Sequence, residues 1–255
     1  GATGPLRVSL PGSANLEQAV RALGARVAAD VDPSAPAIIL GDVEIGDVPG
    51  VALRATFDGW SGGVVPARSS TRLTERGDFT PAGVLAGALA VSEVFQHLRR
   101  SNALASRRVI GMSLWRPERD WRDRDWNDPP LERLPASAWL VGLGNLGQAY
   151  LWTLGLLPYG ESARPTLVLQ DFDILAPSNL STSLLTTTMQ LGVRKSRAMA
   201  NWAEARGFET MIIERPFAAD FHVAAMEPAV ALIGVDNPLA RRQVEDVGFE
   251  RVIEA

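Results

Sequence analysis

Cysteine is absent from this chain of 255 residues. Disulfides, cysteine-based zinc sites and a thiol nucleophile within the chain are therefore excluded. Lysine is nearly absent too, because Lys195 is the only lysine and every other basic residue is arginine. A single lysine can arise by chance, but an ammonium group is a compact point charge that suits a phosphate. Lys195 is therefore a candidate binding residue.

Several other features are missing, and each one excludes a class of protein. No apolar run approaches the roughly 18 residues of a membrane-spanning helix, so we expect no membrane segment. No basic region is followed by an apolar core near residue 1, so no signal peptide is visible and a cytoplasmic location is expected. The net charge of −4 argues against a general nucleic-acid binder. Neither His97 nor His222 has partners at metal-ligand spacing, so no histidine metal site is expected.

One stretch has the order of a nucleotide-binding βαβ unit. The apolar run Trp139–Val141 precedes the G-x-G-x-x-G of Gly142–Gly147, and a helical pattern extends to Leu157. A second apolar run, Thr166–Gln170, ends at the acidic residue Asp171. Strand, glycine turn, helix, strand and acid are the sequence elements that such a unit requires.

The chemistry expected of this unit is phosphate and ribose binding. Gly142, Gly144 and Gly147 allow the backbone to approach a phosphate, and the following helix offers unpaired N–H groups. Asp171 lies 24 residues after Gly147 and could bind ribose hydroxyls or simply cap a turn. The glycine motif alone fits nicotinamide, flavin or adenine nucleotides equally well.

The second half of the chain alternates between strand and helix patterns. Strands are predicted at Trp139–Val141, Thr166–Gln170, Glu209–Glu214, Ala229–Ile233 and Arg251–Ile253. Helices are predicted at Asn145–Leu157, Gly192–Arg206, Asp220–Met226 and Leu239–Val247. Repeated βα units predict a doubly wound parallel sheet with ligands beyond the carboxyl ends of its strands. Because the chain stops directly after a strand, we expect a truncated domain.

The first half is predicted to be a separate α/β region, residues 1–128, with the nucleotide-binding domain at 129–255. Strands are predicted at Leu6–Leu10, Ala37–Leu40, Val51–Phe57 and Val109–Leu114, and helices at Leu16–Ala29 and Phe79–Arg100. The helix Phe79–Arg100 is apolar on most faces and is expected to be largely buried, with Thr80 as its cap. Ser61-Gly62-Gly63 is predicted to be loop, with a glycine-rich ligand loop as the alternative.

The segment 115–136 contains Trp115, Trp121 and Trp126 among arginines and aspartates. One interpretation is a connector whose tryptophans dock onto the two halves that it joins. The other is a partner-binding surface, since Trp and Arg are favoured anchors at interfaces.

Four motifs in the second half occur in an order and at a spacing that resemble the ThiF/MoeB family. They are Asp171-Phe172-Asp173-Ile174, Ser178-Asn179-Leu180, Gly192 with Lys195, and Gly234-Val235-Asp236-Asn237. The resemblance covers about residues 136–255. This family has the Rossmann-like adenylating fold of ubiquitin-activating enzymes, whose members use ATP and Mg²⁺ to adenylate the C-terminal carboxylate of a ubiquitin-like or sulfur-carrier protein.

The resemblance implies a role for each matching residue. Lys195 and Asp236 would be catalytic, with Lys195 on the phosphates and Asp236 binding Mg²⁺, while Asp171 would hold the ribose. The nucleotide-binding set that it implies is Gly142, Gly144, Asn145, Gly147, Asp171, Asp173, Asn179, Lys195 and Asn237.

Two departures from the family pattern matter. The arginine that follows Ser-Asn-Leu in the family would fall at Thr182, so one positive charge is missing. Arg194 or Arg197 could replace it, or both could be solvated helix residues. The cysteine on which many members form a thioester does not occur in this chain.

Three functions remain open from the sequence. The favoured one is ATP-dependent adenylation of a ubiquitin-like or sulfur-carrier protein. An NAD(P)-dependent oxidoreductase would explain the glycines and Asp171 but not Lys195 or Asp236. A catalytically inactive, dimerising pseudo-adenylase scaffold would fit Thr182 and the missing cysteine. The family's habit of pairing modules also suggests a homodimer, or a first half that is a diverged inactive copy of the same module.

Overall fold

The computed structural model describes residues 5–10, 13–28, 30, 32–41, 50–75, 79–123, 128–160, 162–218 and 220–254. The chain forms two compact units. Residues 15–132 make the N-terminal unit, and residues 133–255 together with 5–14 make the C-terminal unit.

The elements of both units follow in chain order. The strands are β1 (Pro5–Leu10), β2 (Ser13–Asn15), β3 (Ala37–Leu40), β4 (Ala52–Asp58), β5 (Ser61–Pro66), β6 (Ile110–Ser113), β7 (Ser137–Val141), β8 (Thr166–Gln170), β9 (Glu209–Ile213), β10 (Val230–Ile233) and β11 (Arg251–Glu254). The α-helices are α1 (Leu16–Ala22), α2 (Thr80–Leu98), α3 (Asn145–Gly155), α4 (Lys195–Glu204) and α5 (Pro238–Gln243). Short 3₁₀ turns occupy Pro177–Ser181, Thr188–Gln190 and Val244–Asp246.

The C-terminal unit is built on a parallel sheet in the order β9-β8-β7-β10-β11. Numbered within this sheet, the order is 3-2-1-4-5, which matches the first five strands of the 3-2-1-4-5-6 order of the dinucleotide-binding fold. Val141 at the end of β7 pairs with Gln170 on one side and Ile233 on the other. The three central strands therefore end together, and β7, which carries the glycine turn, lies at the point where strand order reverses.

Both faces of this parallel sheet are covered. Leu140, Leu151 and Met199 are buried together where α3 and α4 pack on one face. On the other face Trp139 packs with Phe217 and Val244. The predicted doubly wound α/β fold is confirmed, and all five predicted strands of this unit are present with small differences at their ends.

One predicted helix of the C-terminal unit is wrong. The described residues between Asp220 and Met226 form no helix. Instead Phe221 lies edge-on to Trp139 in the core, and the amide of Val223 donates to the carbonyl of Val247 at 3.1 Å. Burial of an aromatic ring and a hydrogen bond to a distant segment replace the local helical hydrogen bonds there.

The N-terminal unit contains a mixed sheet in the order β3-β4-β5-β6. Strand β3 runs parallel to β4, whereas β4, β5 and β6 are antiparallel neighbours. Helix α2 covers one face, where Ala86 and Ala90 meet Leu53 and Val64. This topology differs from the parallel sheet of the C-terminal unit, and the origin of the N-terminal unit as a diverged copy stays a prediction.

Strand β5 contradicts the prediction of a loop at Ser61-Gly62-Gly63. The glycines are there because neighbours come too close for a side chain. A Cβ at Gly62 would lie 2.2 Å from the backbone oxygen of Ala82 in α2. A Cβ at Gly63 would lie 2.5 Å from the ring of Trp121. The glycines therefore serve packing in a strand rather than a turn or a ligand loop.

Helix α2 differs from its prediction in two respects. Thr80 is its first helical residue and not its cap. The exposed side also carries Val91, Phe95 and Leu98, which are 62%, 59% and 62% exposed, so the expectation that this helix is largely buried is wrong. The buried face includes Glu93, which accepts from Arg108 at 2.7 Å. Burial opposes ionisation of Glu93, but its hydrogen bonds with Arg108 and the Ser106 amide lower its pKa.

The two described tryptophans of the connector both pack within the N-terminal unit. Trp121 is 7% exposed and lies with Val65 and Leu73 on the sheet face opposite α2. Trp115 is half-exposed, with its ring centroid 5.4 Å from that of Trp60. Trp126 lies outside the described residues. At least one of these rings is therefore structural.

Two further comparisons concern helices. Helix α1 ends at Ala22, earlier than predicted, because Gly24 adopts a left-handed conformation with φ 85° and stops the helix. Within the described residues, every helix is too short or too polar to cross a membrane.

The glycine packing predicts opposite effects of one substitution at two positions. Gly62→Ala should destabilise the N-terminal unit by about 1–3 kcal/mol, because the added methyl group meets backbone that must move. Gly87→Ala, on α2, meets no atom within 4 Å and should stabilise the unit by up to about 1 kcal/mol. Urea denaturation of the two variants measures both effects. Equal stability of the two variants would contradict the packing argument.

Candidate active site at the glycine turn

The turn between β7 and α3 depends on unusually close backbone packing. Gly142 has a φ of 84°, which favours glycine. A Cβ at Gly147 would lie 1.9 Å from the Gly142 oxygen, and one at Gly234 would lie 2.8 Å from it. By contrast, a Cβ at Gly144 would meet nothing within 4 Å. Three glycines therefore join β7, α3 and β10, while Gly144 faces open space.

Helix α3 presents its N-terminus at the same place. Gly144 is its N-cap residue, and no described side chain caps it. The first backbone hydrogen bond of the helix is donated by the amide of Gln148 to the oxygen of Gly144 at 2.9 Å. The preceding N–H groups of the first turn can therefore bind an anion, which the helix dipole also favours.

Asp171 fastens the glycine turn to the end of β8. Asp171 is 8% exposed, and its carboxylate accepts from the amide of Leu143 at 2.7 Å and from that of Asp173 at 2.8 Å. Two of roughly four lone-pair directions are thereby used, and the rest can accept from a ligand hydroxyl. A turn-stabilising role and a ribose-binding role are thus compatible, and the latter stays a prediction.

Lys195 is held at the edge of the site by two hydrogen bonds to one residue. Its amide donates to the Asp173 oxygen at 2.9 Å, and its ammonium group donates to the Asp173 carboxylate at 2.8 Å. The Lys195 side chain is 11% exposed and that of Asp173 is 52% exposed. An anionic ligand that binds Lys195 must therefore displace the partly solvated carboxylate of Asp173 or share the ammonium group with it.

Asp236 and Asn237 follow the end of β10. Asp236 is exposed, while the side chain of Asn237 accepts from the amide of Leu239 at 2.9 Å and so caps α5. Asn237 thereby supports the loop that presents Asp236. In the described residues, His, Cys, Asp and Glu form no cluster of three suited to a metal ion. A single carboxylate together with ligand phosphates can still hold Mg²⁺, which makes Asp236 compatible with its predicted role.

One cavity of about 600 Å³ brings most of the predicted residues together, and its size suits a nucleotide-sized ligand. The predicted site residues that line it are Gly142, Gly144, Asn145, Asp171, Asp173, Lys195, Asp236 and Asn237. Gly147 and Asn179 are not among its lining residues. Gly147 packs behind the turn, and the Asn179 side chain accepts from the amide of Ala176 at 2.9 Å within its own turn.

The structure adds two cations that the motifs do not reveal. Arg215 and Arg241 also line the cavity. The guanidinium of Arg215 bonds both carboxylate oxygens of Asp220 at 2.9 Å and stacks over Phe221 at 3.6 Å. Arg241 donates to the Val235 oxygen at 3.0 Å. Only their positions in the sequence could have indicated this role. Arg215 follows closely after a strand, and Arg241 lies one turn into the helix after Asp236.

Thr182, Arg194 and Arg197, the residues linked above to the missing family arginine, do not line this cavity. Thr182 is exposed and does not line the cavity. Arg194 donates to the Phe172 oxygen, and Arg197 pairs with Glu214 at 2.7 Å. Neither of these arginines is among the lining residues. Among the described residues, the cations that line the cavity are Lys195, Arg215 and Arg241.

Two family models match this chain. Residues 2–114 match the BilD N-terminal domain, and residues 134–255 match the BilD C-terminal domain. A curated relative, the bacterial E1-like protein BilD of Collimonas sp. (strain OK412), is 42% identical over 247 residues. The match covers 97% of this chain and 54% of the relative, so the chain spans about half of that protein's length. The motifs had indicated ThiF/MoeB, whereas the matching models are those of BilD domains.

Solved structures overlap the chain over shorter lengths. E. coli tRNA N6-threonylcarbamoyladenosine dehydratase, TcdA, in complex with ATP is 16% identical, with 42% of this chain and 44% of that chain covered at a TM-score of 0.37. E. coli MccB is 15% identical, with 40% and 28% covered at a TM-score of 0.34.

The packing separates the two glycines of the turn by experiment. Gly147→Ala should lower the melting temperature strongly, because a methyl group cannot share space with the Gly142 oxygen. Gly144→Ala should leave the melting temperature close to that of the unsubstituted chain, since its new Cβ meets open space. Calorimetric unfolding of both variants tests this difference. A Gly144→Ala variant as unstable as Gly147→Ala would show that the turn tolerates no side chain at either position.

Proposed function

We propose that this chain belongs to an E1-like protein of the BilD type and adenylates the C-terminal carboxylate of a ubiquitin-like or sulfur-carrier protein with ATP and Mg²⁺. The observation that carries the proposal is the meeting of Gly144, Asp171, Lys195 and Asp236 around one cavity. The match to both BilD domains, and to a relative designated E1-like, supports it.

The proposed reaction needs positioning and charge more than covalent catalysis. A carboxylate oxygen of the carrier attacks the α-phosphorus of ATP, a new bond from that oxygen to phosphorus forms, and the bond to the pyrophosphate oxygen breaks. Negative charge develops on the phosphoryl oxygens in the transition state. The Lys195 ammonium group and the free amides at the start of α3 are placed to stabilise that charge.

The cavity fits a magnesium polyphosphate better than a free anion. Asp171, Asp173 and Asp236 give it three carboxylates, against the three cations Lys195, Arg215 and Arg241. Mg²⁺ bound by Asp236 would offset the charge of the phosphates beside these carboxylates and favour the departure of pyrophosphate. We assign Arg215 or Arg241 the part of the arginine that is missing at Thr182.

Hydride transfer is a weaker second reading of the same cavity. Asp171 and the glycine turn would suit NAD(P) as well. An oxidoreductase also needs a group that exchanges a proton with its substrate, and the described lining residues include neither histidine nor tyrosine. The Lys195–Asp173 pair beside Asp236 suits phosphoryl chemistry better.

A non-catalytic scaffold is the third reading, and it is favoured by Thr182 and by the absence of cysteine. Without cysteine, these 255 residues cannot form a thioester, so on our proposal their product is the acyl adenylate. The partner is then the carrier protein. Pairing into a dimer and a cytoplasmic location remain predictions from the sequence.

Lys195→Ala should weaken the binding of ATP with Mg²⁺ by at least about tenfold, equivalent to roughly 1.4 kcal/mol, because it removes the buried phosphate-binding cation. Isothermal titration calorimetry measures this effect. Arg197→Ala is the matched control, since it removes a cation from the same helix outside the cavity. Equal loss of affinity in both variants would mean that net charge, and not the site, binds ATP.

NAD serves as the competing ligand in the same titrations. Binding of ATP and not of NAD supports adenylation. Binding of NAD alone would replace our proposal with a dehydrogenase, and failure to bind either would favour the scaffold.

Asp236→Asn should remove most of the effect of Mg²⁺ on ATP affinity, because the amide is a poorer ligand for a hard cation. Metal-free binding should stay the same or tighten, because the variant lacks a carboxylate that repels the phosphates. The ratio of ATP dissociation constants with Mg²⁺ and with EDTA measures this dependence. An unchanged ratio would assign the metal to another group.

A further inference from the structure

The first turn of α3 is tied to a loop that follows Thr182, and the sequence motifs give no role to this contact. Asn145 lines the cavity, and its side-chain oxygen accepts from the Ser183 hydroxyl at 2.8 Å. Ser183 is 5% exposed although Thr182 and Leu184 beside it are exposed. One buried polar residue of the loop, Ser183, therefore holds the loop next to the cavity by a hydrogen bond.

Gln148 provides a second tie to the same loop. It is fully buried, and its side-chain oxygen accepts from the amide of Leu185 at 2.9 Å. Its side-chain nitrogen donates to the Leu143 oxygen at 3.2 Å and to the Thr186 hydroxyl at 3.1 Å. One buried amide thus connects the glycine turn, through Leu143, with the loop. Burial of a polar group is costly unless it is satisfied in this way.

We propose that Asn145 and Gln148 act as positioning residues that couple the nucleotide cavity to the loop 183–186. This inference rests on the proposed binding of ATP. The loop held by these neutral hydrogen bonds follows directly after Thr182, the position at which the ThiF/MoeB pattern has an arginine. The nucleotide then orders the loop indirectly, through the contacts of the loop with α3, because the loop has no charged side chain that could bind a phosphate.

The coupling follows from how the hydrogen bonds are shared. Because the Asn145 oxygen is occupied by Ser183, the side chain offers its two N–H donors to a ligand in the cavity. A phosphate that accepts from them holds the Asn145 side chain in the orientation that Ser183 needs. A ligand that tightens the glycine turn also fixes the Leu143 oxygen and hence the Gln148 amide. Nucleotide binding should therefore slow local opening of the loop.

Hydrogen exchange with and without ATP and Mg²⁺ on residues 1–255 tests the coupling. In the unsubstituted chain, ATP should slow exchange of the Leu185 and Thr186 amides at least about fivefold. Ser183→Ala keeps the bond from the Leu185 amide to Gln148, so exchange without ATP should stay near normal while the ATP effect shrinks to the part that passes through Gln148. Gln148→Leu should lose the ATP effect too, and its Leu185 and Thr186 amides should exchange faster both with and without ATP.

Gln190→Ala is the matched control. The Gln190 side chain also accepts a loop amide, that of Thr187 at 2.8 Å, but it does not touch the glycine turn or line the cavity. It should keep the full ATP effect at Leu185. A purely structural Gln148 would change stability and leave the ATP-dependent change in the Gln148→Leu variant intact.

The outcomes separate this inference from the proposed function. If ATP binds but leaves loop exchange unchanged, or if both variants keep the effect, the coupling is refuted while the proposed function stands. If the unsubstituted chain binds no ATP, the proposed function fails and the coupling fails with it. Should Gln148→Leu not fold, Ser183→Ala decides the question alone.

Discussion

The site depends on one close backbone contact at the switch point of the parallel sheet. The Gly142 oxygen lies where side chains at Gly147 and Gly234 would have to be, so three elements meet with hydrogen atoms in place of methyl groups. This contact sets how near α3 lies to β7 and β10, and hence where the N-terminus of α3 points. Asp171 then locks the turn from the side of β8 through the Leu143 amide. The cavity forms above this junction because the parallel strands all end there.

Each of the three cations that line the cavity is held by an oxygen acceptor. Asp173 binds Lys195, Asp220 binds Arg215, and the Val235 oxygen binds Arg241. Pairing keeps buried or half-buried cations in place without a ligand, since an isolated charge would pay a large desolvation cost. A phosphate ligand would therefore have to displace these oxygen acceptors or share the cations with them. The loop that Asn145 and Gln148 hold is neutral, so its order is better explained by hydrogen bonds than by charge.

Two errors of sequence reasoning have a common cause. Gly62 and Gly63 predict a loop by local conformational preference, yet they lie in a strand because α2 and Trp121 pack against them. The segment after Asp220 has helical spacing, yet Phe221 and a hydrogen bond to Val247 draw it into the core. Phe95 counts as apolar in any pattern, although the fold leaves it exposed on α2. In the first two cases a distant neighbour overrides the local preference, whereas Phe95 lies on a face of α2 that neither the sheet nor Trp121 covers.

The sequence by itself determined the order of strand, glycine turn and helix, the five strands of the parallel sheet, and eight of the residues that line the cavity. These depend on periodicity and on local turn chemistry, which short segments encode. Only the tertiary structure decided that Arg215 and Arg241 enter the cavity, that Asn179 and Thr182 stay outside it, and that Gln148 links the turn to a loop. Those outcomes depend on contacts between residues far apart in the chain, and spacing along the sequence does not specify the direction of a side chain across such a distance.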